Sequence, residues 1–277
     1  MAVITISRGT KSGGEELADR LADRLGYKTI GHEVITECSR KYNIMEQDLL
    51  DDLEHTPGLW HKLTRDYSRQ IIYIKCTLLE MIKQDNIIYH GHAGQLLLAG
   101  LNNALKLRLE TPLEDRINAV MKTSKKNYDE AFEYIKSLDE QRHRWVKLLY
   151  DEDWRNPSLY DLSINLQNLS LDTICDIVET TIKSDDFRTT ELSQKHLADV
   201  SLACEVKAAI AADDKIWDQP ITVSAEDGVI VLKGTVKNEK LRELIIGTAS
   251  QVKGVTKCDV AMGLLSDPMT KGKYDHE

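Results

Sequence analysis

The sequence lacks long apolar runs and an excess of basic residues. No apolar stretch in its 277 residues approaches the ~18 residues that a transmembrane helix requires, so no membrane-spanning helix is expected. The 45 acidic residues outnumber the 36 basic ones and give a net charge of −9. This balance argues against a nucleic-acid partner, because a phosphate backbone demands a basic surface. It remains compatible with a local basic pocket for a nucleotide.

Cysteine pairs and a targeting segment are lacking too. The five cysteines are scattered and contain no CxxC pair, so the sequence predicts reduced thiols rather than a disulfide framework or a zinc site. The N-terminal MAVITIS has no basic segment ahead of an apolar core, so no signal peptide is expected. These features together predict a cytoplasmic protein.

The clearest pattern lies in residues 3–26. VITIS is a short β-branched run typical of a buried strand, RGTKSGG is a glycine-containing loop, and EELADRLADRL places its leucines on one helical face. Ser12 followed by Glu15 matches a capping box, which predicts that the helix begins just after Ser12. Backbone N–H groups and the positive end of the helix dipole would then point at one spot, as in a phosphate-binding loop. An ordinary strand–loop–helix connection explains the composition equally well.

The loop departs from the standard phosphate-binding motif GxxxxGK[ST]. When that motif is laid over the loop, its glycine–lysine pair falls on Gly13 and Gly14, and its hydroxyl residue falls on Glu15. The phosphate-binding lysine and the usual magnesium ligand are therefore missing from their expected positions. Arg8 and Lys11 are the cations of the loop, and we expect them to replace that lysine.

Strand and helix patterns alternate through the first 184 residues. Further strands are predicted at 27–30, 86–90, 104–109 and 162–165. Helices are predicted at 33–42, over most of 45–84 with a break at 56–58, and at 112–122, 129–150 and 170–182. This alternation predicts an α/β fold with a parallel sheet flanked by helices. Because ligands bind beyond the carboxyl ends of such strands, the glycine loop, the 91–94 turn and the segment after 109 are expected at one edge.

A different pattern follows a polar stretch. Residues 185–192 lack apolar periodicity and are predicted to link residues 1–184 to a second domain at 193–264, with a disordered tail at 265–277. The second domain is predicted to contain a helix at 197–210, a hairpin with strands at 221–223 and 229–236, a helix at 241–252 and a strand at 257–262. This order predicts a small α/β unit of αββαβ topology.

Four segments of the first domain, in this order and spacing, resemble the cytidylate kinase-like family: ITISRGTKSGGEELADRLADRLGY, IIYHGHAG, PLEDRINAVM and DWRNPSLYDLSIN. The family comprises P-loop relatives of the nucleoside monophosphate kinases. Its opening usually resembles SRxxGSGG, so the missing lysine is a family trait, whereas Lys11 stands where a glycine is usual. The resemblance implies a three-layer kinase fold that binds ATP and Mg²⁺ at the loop. It also implies a nucleotide or similar acceptor opposite the loop, under an arginine-bearing lid.

The resemblance assigns candidate site residues by position. The donor site would comprise Arg8, Lys11, Ser12, Gly13, Gly14 and Glu15. The acceptor site would comprise His32, Glu33, Gly91 and His92. The helix at 129–150 would carry the catalytic arginines, Arg142 and Arg144, with Arg142 stabilising the charge in transfer. Arg116 is expected to be a solvated helix charge, and the metal ligands are left unassigned.

The acceptor side departs from the family pattern. Gly31 and His32 stand where the family commonly has Asp-Arg, and Gly91 and His92 stand where it commonly has Gly-Arg. Histidine is charged only near or below pH ~6.5 and lacks the bidentate fork of arginine. Either the acceptor differs from a plain nucleoside monophosphate or the transfer activity is lost.

The C-terminal segment ITVSAEDGVIVLKGTVKNEKLRELIIGTASQVKGVTKCDVAM resembles a BON domain over residues 193–264. This resemblance implies a module that binds phospholipid surfaces, small ligands or partner proteins. Two functions follow for the whole chain. One is an ATP-dependent phosphotransferase acting on a nucleoside monophosphate or related small acceptor. The other is a catalytically weak nucleotide-binding sensor or adapter whose BON-like domain binds a ligand, a partner or a membrane surface.

Overall fold

A computed structural model describes residues 2–54 and 66–265 of the protein. It divides the chain into unit 1, Met1–Leu197, and unit 2, Ala198–Glu277. The predicted break at 56–58 and most of the predicted tail lie outside the described residues.

A five-stranded parallel sheet forms the centre of unit 1. Its strands are β1 Val3–Arg8, β2 Lys28–Ile30, β3 Ile87–Tyr89, β4 Ala104–Glu110 and β5 Leu162–Asn165. They lie in the order β2-β3-β1-β4-β5, with every neighbouring pair parallel. The predicted parallel α/β sheet is confirmed.

Eight helices of unit 1 are described in these ranges: α1 Gly14–Leu25, α2 Glu33–Tyr42, α3 Glu46–Glu54, α4 Asp66–Ile82, α5 Gly94–Leu97, α6 Leu113–Thr123, α7 Tyr128–Tyr150 and α8 Leu171–Ile182. Helices α1 and α8 bury their apolar faces against the sheet through one cluster that includes Leu17, Leu21, Ile174 and Val178. Strand β1 is buried along nearly its whole length, as expected for the centre of a parallel sheet. The loop after β1 therefore begins on the best-packed strand of the unit.

The predicted capping box at Ser12 and Glu15 is wrong. Helix α1 begins at Gly14, its N-cap is Gly13 in the left-handed conformation (φ 77°), and no side chain caps it. Ser12 is buried in the loop, where its carbonyl accepts a hydrogen bond from Thr111 Oγ1 at 3.0 Å. Glycine reaches this backbone conformation without steric cost, so the helix starts later than the serine pattern suggested.

Unit 2 contains a three-stranded sheet in the order β6-β7-β8. The elements that follow β5 and α8 along the chain are α9 Glu191–Ala211, β6 Ile221–Glu226, β7 Val229–Val236, α10 Glu239–Ser250 and β8 Lys257–Leu264. Strand β7 pairs antiparallel with β6 and parallel with β8. The predicted αββαβ order is confirmed, although α9 begins earlier than expected, just after a 3₁₀ turn at Asp185–Phe187.

Two further findings concern the helices and the cysteines. None of the helices in the described ranges is long and apolar enough to cross a membrane. Cys38, Cys175 and Cys258 are free thiols, as the scattered cysteines of the sequence predicted for these three positions.

Candidate functional site

A cleft of about 830 Å³ opens at the carboxyl ends of β1 and β3. It is lined by the loop at 9–13 with the start of α1, by the turn at 90–93, and by one side of α7 that includes Arg142 and Trp145. Its volume lies in the range of ~300–1,000 Å³ that is typical of small-molecule sites. Of the three segments expected at this edge, the glycine loop and the turn after β3 line the cleft, whereas residues 110–118 do not.

The loop between β1 and α1 has the shape of an anion cradle. Lys11 has a φ of 57° and Gly13 a φ of 77°, so two of its residues are left-handed. The position of Lys11 is therefore one that favours glycine. Because no side chain caps α1, the N–H groups of its first turn are available to an anion.

Asp139 of α7 holds this loop in place, and sequence analysis missed it. Its Oδ1 accepts hydrogen bonds from Thr10 N at 3.0 Å and from Thr10 Oγ1 at 2.9 Å. Its Oδ2 accepts one from Arg116 Nη2 at 2.5 Å, and Arg142 Nη1 lies 3.4 Å from Oδ1. One carboxylate thus joins the loop to two arginines on different helices. The sequence offers only an acidic residue three positions before Arg142 on a charged helix.

Arg116 packs against the loop, largely shielded from solvent, rather than being the expected solvated charge. Its side chain is only 12% exposed, and Nε donates to the Thr10 carbonyl at 2.8 Å. A Cβ on Gly9 would lie 2.9 Å from Arg116 Cζ, so the glycine lets the guanidinium approach the loop. The helical pattern of α6 could not reveal this, because the contact joins residues far apart in sequence.

Arg8 lies at the end of β1 and lines the cleft. Its Nη1 donates to the His90 carbonyl at 2.5 Å, which ties the loop to the turn after β3. Burial lowers the pKa of Arg8, while the nearby charge of Glu15 acts in the opposite direction. A Cβ at Gly14 would overlap Arg8 Cδ, so a larger residue here would displace the Arg8 side chain.

The two arginines predicted on α7 have different surroundings. Arg142 lines the cleft, donates to the Arg8 carbonyl at 3.0 Å and lies 5.5 Å from the centre of the Trp154 ring. Its pKa is lowered chiefly by burial. Arg144 is exposed and does not line the cleft, because residues two apart on a helix do not share a face.

The predicted acceptor residues are only partly brought together. His32, Gly91 and His92 line the cleft, whereas Glu33 lines a neighbouring cavity of about 520 Å³. Glu33 Oε2 accepts a hydrogen bond from Gly31 N at 2.7 Å, and backbone hydrogen bonds lower the pKa of this carboxyl. His32 Nε2 lies 3.2 Å from Glu46 Oε2.

Two histidines of the turn after β3 face positive charge. Burial lowers the pKa of His92 to about 4, and the charges of Arg142 and Arg8 act in the same direction. Its imidazole is therefore neutral at pH 7. His90, which sequence analysis did not assign to the site, also lines the cleft, and its pKa is lowered by burial and then by Arg8.

These features define a P-loop kinase-like protein: a parallel sheet of order 2-3-1-4-5, an anion cradle after its central strand, and arginines converging on that cradle. The model of the cytidylate kinase-like family matches residues 3–168, and the chain belongs to that family. The model of the BON domain matches residues 198–262.

Similar proteins agree with this assignment. The cytidylate kinase of Thermococcus kodakarensis is 28% identical over 180 residues, which span 65% of this chain and 87% of the relative. That of Pyrococcus horikoshii is 27% identical over 180 residues, with 65% and 88% covered. A solved structure of an uncharacterized protein from Eubacterium ventriosum matches with a TM-score of 0.51 and 16% identity, covering 65% of this chain and 97% of that one. The last comparison concerns the fold alone.

Proposed function

We propose that the protein is an ATP-dependent phosphotransferase that transfers a phosphoryl group to a nucleoside monophosphate or a related small acceptor in the cytoplasm. The observation that carries this proposal is the arrangement of the loop after β1. The uncapped N-terminus of α1 faces the cleft, and Asp139 joins the loop to Arg116 and Arg142. Phosphoryl transfer consists mostly of positioning and charge neutralisation, and this arrangement supplies both.

The loop suits the phosphates of ATP. A nucleoside triphosphate carries about four negative charges, and an accompanying Mg²⁺ offsets about two of them. The backbone cradle and the helix dipole contribute partial charge only, so side-chain cations are required. Arg8 and Lys11 would hold the donor phosphates, with Ser12, Gly13, Gly14 and Glu15 forming the cradle and the first turn of α1. Mg²⁺ bound with the nucleotide would neutralise phosphate charge.

Arg142 would stabilise the charge in transfer. Its hydrogen bond to the Arg8 carbonyl and its place in the cleft wall put its guanidinium beside the loop. Burial strengthens its interaction with a phosphoryl group, since the local dielectric is lower than that of water. Arg116 would act indirectly, by fixing Thr10 and sharing Asp139.

The test is ADP formation from ATP and Mg²⁺ over a panel of nucleoside monophosphates and related small acceptors. We expect saturable ADP formation that depends on one class of acceptor, together with measurable ATP binding. Absence of both ATP binding and ADP formation over the whole panel would contradict the proposal.

The second candidate is a nucleotide sensor or adapter with weak catalysis. It is favoured by Gly31, His32 and His92, which leave fewer fixed charges on the acceptor side than the family pattern. In this case the BON-like unit would bind a small ligand, a protein or a phospholipid surface. Deleting residues 193–277 discriminates the two. A change in ATP affinity of tenfold or more, about 1.4 kcal/mol of coupling, supports the sensor, and an unchanged affinity supports the enzyme.

A further inference from the structure

The imidazole of His90 occupies the space beside Gly31. A Cβ on Gly31 would lie 2.6 Å from His90 Cε1 and 2.9 Å from Nε2. A side chain at residue 31 would therefore displace the imidazole from this position. An aspartate at residue 31 would place a carboxylate close to the position that the imidazole occupies. Both groups can accept a proton.

The ring of His90 is available to a ligand. It lines the cleft, and neither ring nitrogen makes a hydrogen bond to any residue in the described ranges. Its main chain is fixed on both sides, because its N–H donates to the Ile30 carbonyl at 3.0 Å and its carbonyl accepts from Arg8. The imidazole is thus held next to the arginine that we assign to the donor phosphates.

Burial favours the neutral form of His90. Burial and the Arg8 guanidinium lower its pKa, and the carboxylates of Glu15, Glu33 and Asp19 oppose that shift. A neutral imidazole with an unoccupied nitrogen can act as a general base. His92 is a weaker base, because its pKa lies near 4, and His32 is already paired with Glu46.

We propose that His90 is a catalytic residue that takes the proton from a hydroxyl group of the acceptor, and that the acceptor is therefore an alcohol, such as a nucleoside, rather than a phosphate. The inference rests on the proposed function and names its acceptor class. In the reaction the acceptor O–H bond breaks and its proton moves to a ring nitrogen of His90. The acceptor oxygen forms a bond to the γ-phosphorus of ATP, and the bond from that phosphorus to the leaving ADP oxygen breaks.

A phosphate acceptor would not need such a base. The second pKa of a phosphomonoester is ~6, so most of its oxygens are already ionised at pH 7. A hydroxyl group keeps its proton at that pH and gains from a positioned base, typically by ~10²–10⁴-fold. The free imidazole therefore favours a hydroxyl acceptor over a phosphate acceptor.

The experiment compares the four ribonucleosides with their 5′-monophosphates as acceptors, with ATP and Mg²⁺. ADP formation is followed enzymatically, and the product is identified by ³¹P NMR as a phosphomonoester or a diphosphate. We expect turnover with a nucleoside and a phosphomonoester product. His90→Gln should lower kcat ~10²–10⁴-fold and change the calorimetrically measured ATP affinity by less than about threefold. His196→Gln, the same change at an exposed position of α9, is the matched control.

Two readouts separate proton transfer from a structural role. The wild-type rate should rise with pH as an imidazole whose pKa is below the usual 6.5 loses its proton. In His90→Gln the rate should no longer rise with pH over this range. The ¹H NMR titration of His90, assigned by its loss in the variant, should give the same pKa without any turnover. A different pKa would overturn the assignment.

A second variant guards against simple misfolding. His90→Ala removes the ring and makes room for Gly31→Asp, so the double variant should recover at least tenfold over His90→Ala. The pH at which the rate of the double variant rises should shift toward ~4, the usual pKa range of a carboxylate. A double variant that binds ATP normally but recovers no activity would contradict the claim.

The outcomes distinguish this inference from the proposed function. ADP formation with monophosphates alone, unaffected by His90→Gln, would leave the phosphotransferase intact and overturn the hydroxyl acceptor. ADP formation with neither class, together with absent ATP binding, would overturn both.

Discussion

Asp139 shows how much of the site depends on a single carboxylate. It accepts hydrogen bonds from Thr10 and Arg116 and pairs with Arg142, so it fixes a loop and two helices at once. A hydrogen bond to a charged group contributes more to stability than a neutral one, and leaving a buried charge unpaired is costly. The carboxylate therefore positions the loop after β1 as well as stabilising the fold.

Asp139→Asn tests this positioning role. The amide can still accept from Thr10, but it leaves the largely buried Arg116 without its charged partner. We expect the free energy of unfolding to fall by ~1–3 kcal/mol and kcat to fall by up to ~10²-fold, because the loop is displaced. Denaturant unfolding and steady-state kinetics measure the two effects. The control is Glu140→Gln at the neighbouring exposed position, and equal behaviour of the two variants would refute the role.

His92 gives a prediction for stability against pH. Its pKa is lowered to about 4 in the folded protein from the ordinary 6.5. Between these values the unfolded chain binds a proton that the folded protein does not, so stability falls as the pH drops through this window. The loss amounts to roughly 3 kcal/mol. His92→Gln should remove this part of the pH dependence of unfolding, whereas His196→Gln should not. A wild-type pH slope in His92→Gln would contradict the assignment.

The candidate residues next to the loop could be predicted from the sequence, and those joined by tertiary contacts could not. Arg8, Lys11 and the glycines follow β1 directly, so their placement follows from the strand–loop–helix pattern. Asp139, Arg116 and His90 reach the cleft from other elements, and a helical or strand pattern does not say which polar residue faces inward.

At the scale of elements, helix periodicity predicted that the longer helices exist, but it missed the four-residue helix α5 and did not fix where helices start. Helices α2 and α8 begin close to their predicted positions, whereas α1 begins after Gly13 and α9 begins at Glu191. In α1 a left-handed glycine replaced the expected serine cap. In α9 Thr190 and Ser193 exchange hydrogen bonds between their side chains and backbone N–H groups, which starts the helix in a stretch without apolar periodicity.

Residues 188–190 are predicted to be the first site of proteolysis. They lie between the 3₁₀ turn Asp185–Phe187 and α9, and the side chain of Arg188 is 68% exposed. Exposed connections without regular structure are preferred sites of cleavage. Native-state trypsin treatment followed by mass spectrometry should give a first cut after Arg188, and Arg188→Gln should delay it. A single uncut core, or first cuts only within residues 1–184, would count against a linker there.

At the scale of the whole molecule, the sequence was most informative about the fold class and the family. The structure agrees with the predicted fold in both units: a parallel sheet of order β2-β3-β1-β4-β5 and an αββαβ second unit. This part could be predicted because the apolar patterns of strands and helices depend little on tertiary contacts. The family assignment over residues 3–168 and the BON match over 198–262 agree with the predicted resemblances. The acceptor could not be derived in the same way, since it depends on side chains that converge from separate elements.

The central claim is that the loop after β1 binds ATP through Arg8 and Lys11. Calorimetric titration with ATP and Mg²⁺ tests it most directly, using wild type, the Arg8→Ala, Lys11→Ala double variant, and Arg142→Ala. A Lys122→Ala, Lys125→Ala double variant removes the same charge from exposed positions outside the cleft lining and serves as the control. The account predicts at least tenfold weaker ATP binding in the loop variant alone, and slower turnover with spared ATP binding for Arg142→Ala. Wild-type ATP affinity in a folded Arg8→Ala, Lys11→Ala protein would contradict it.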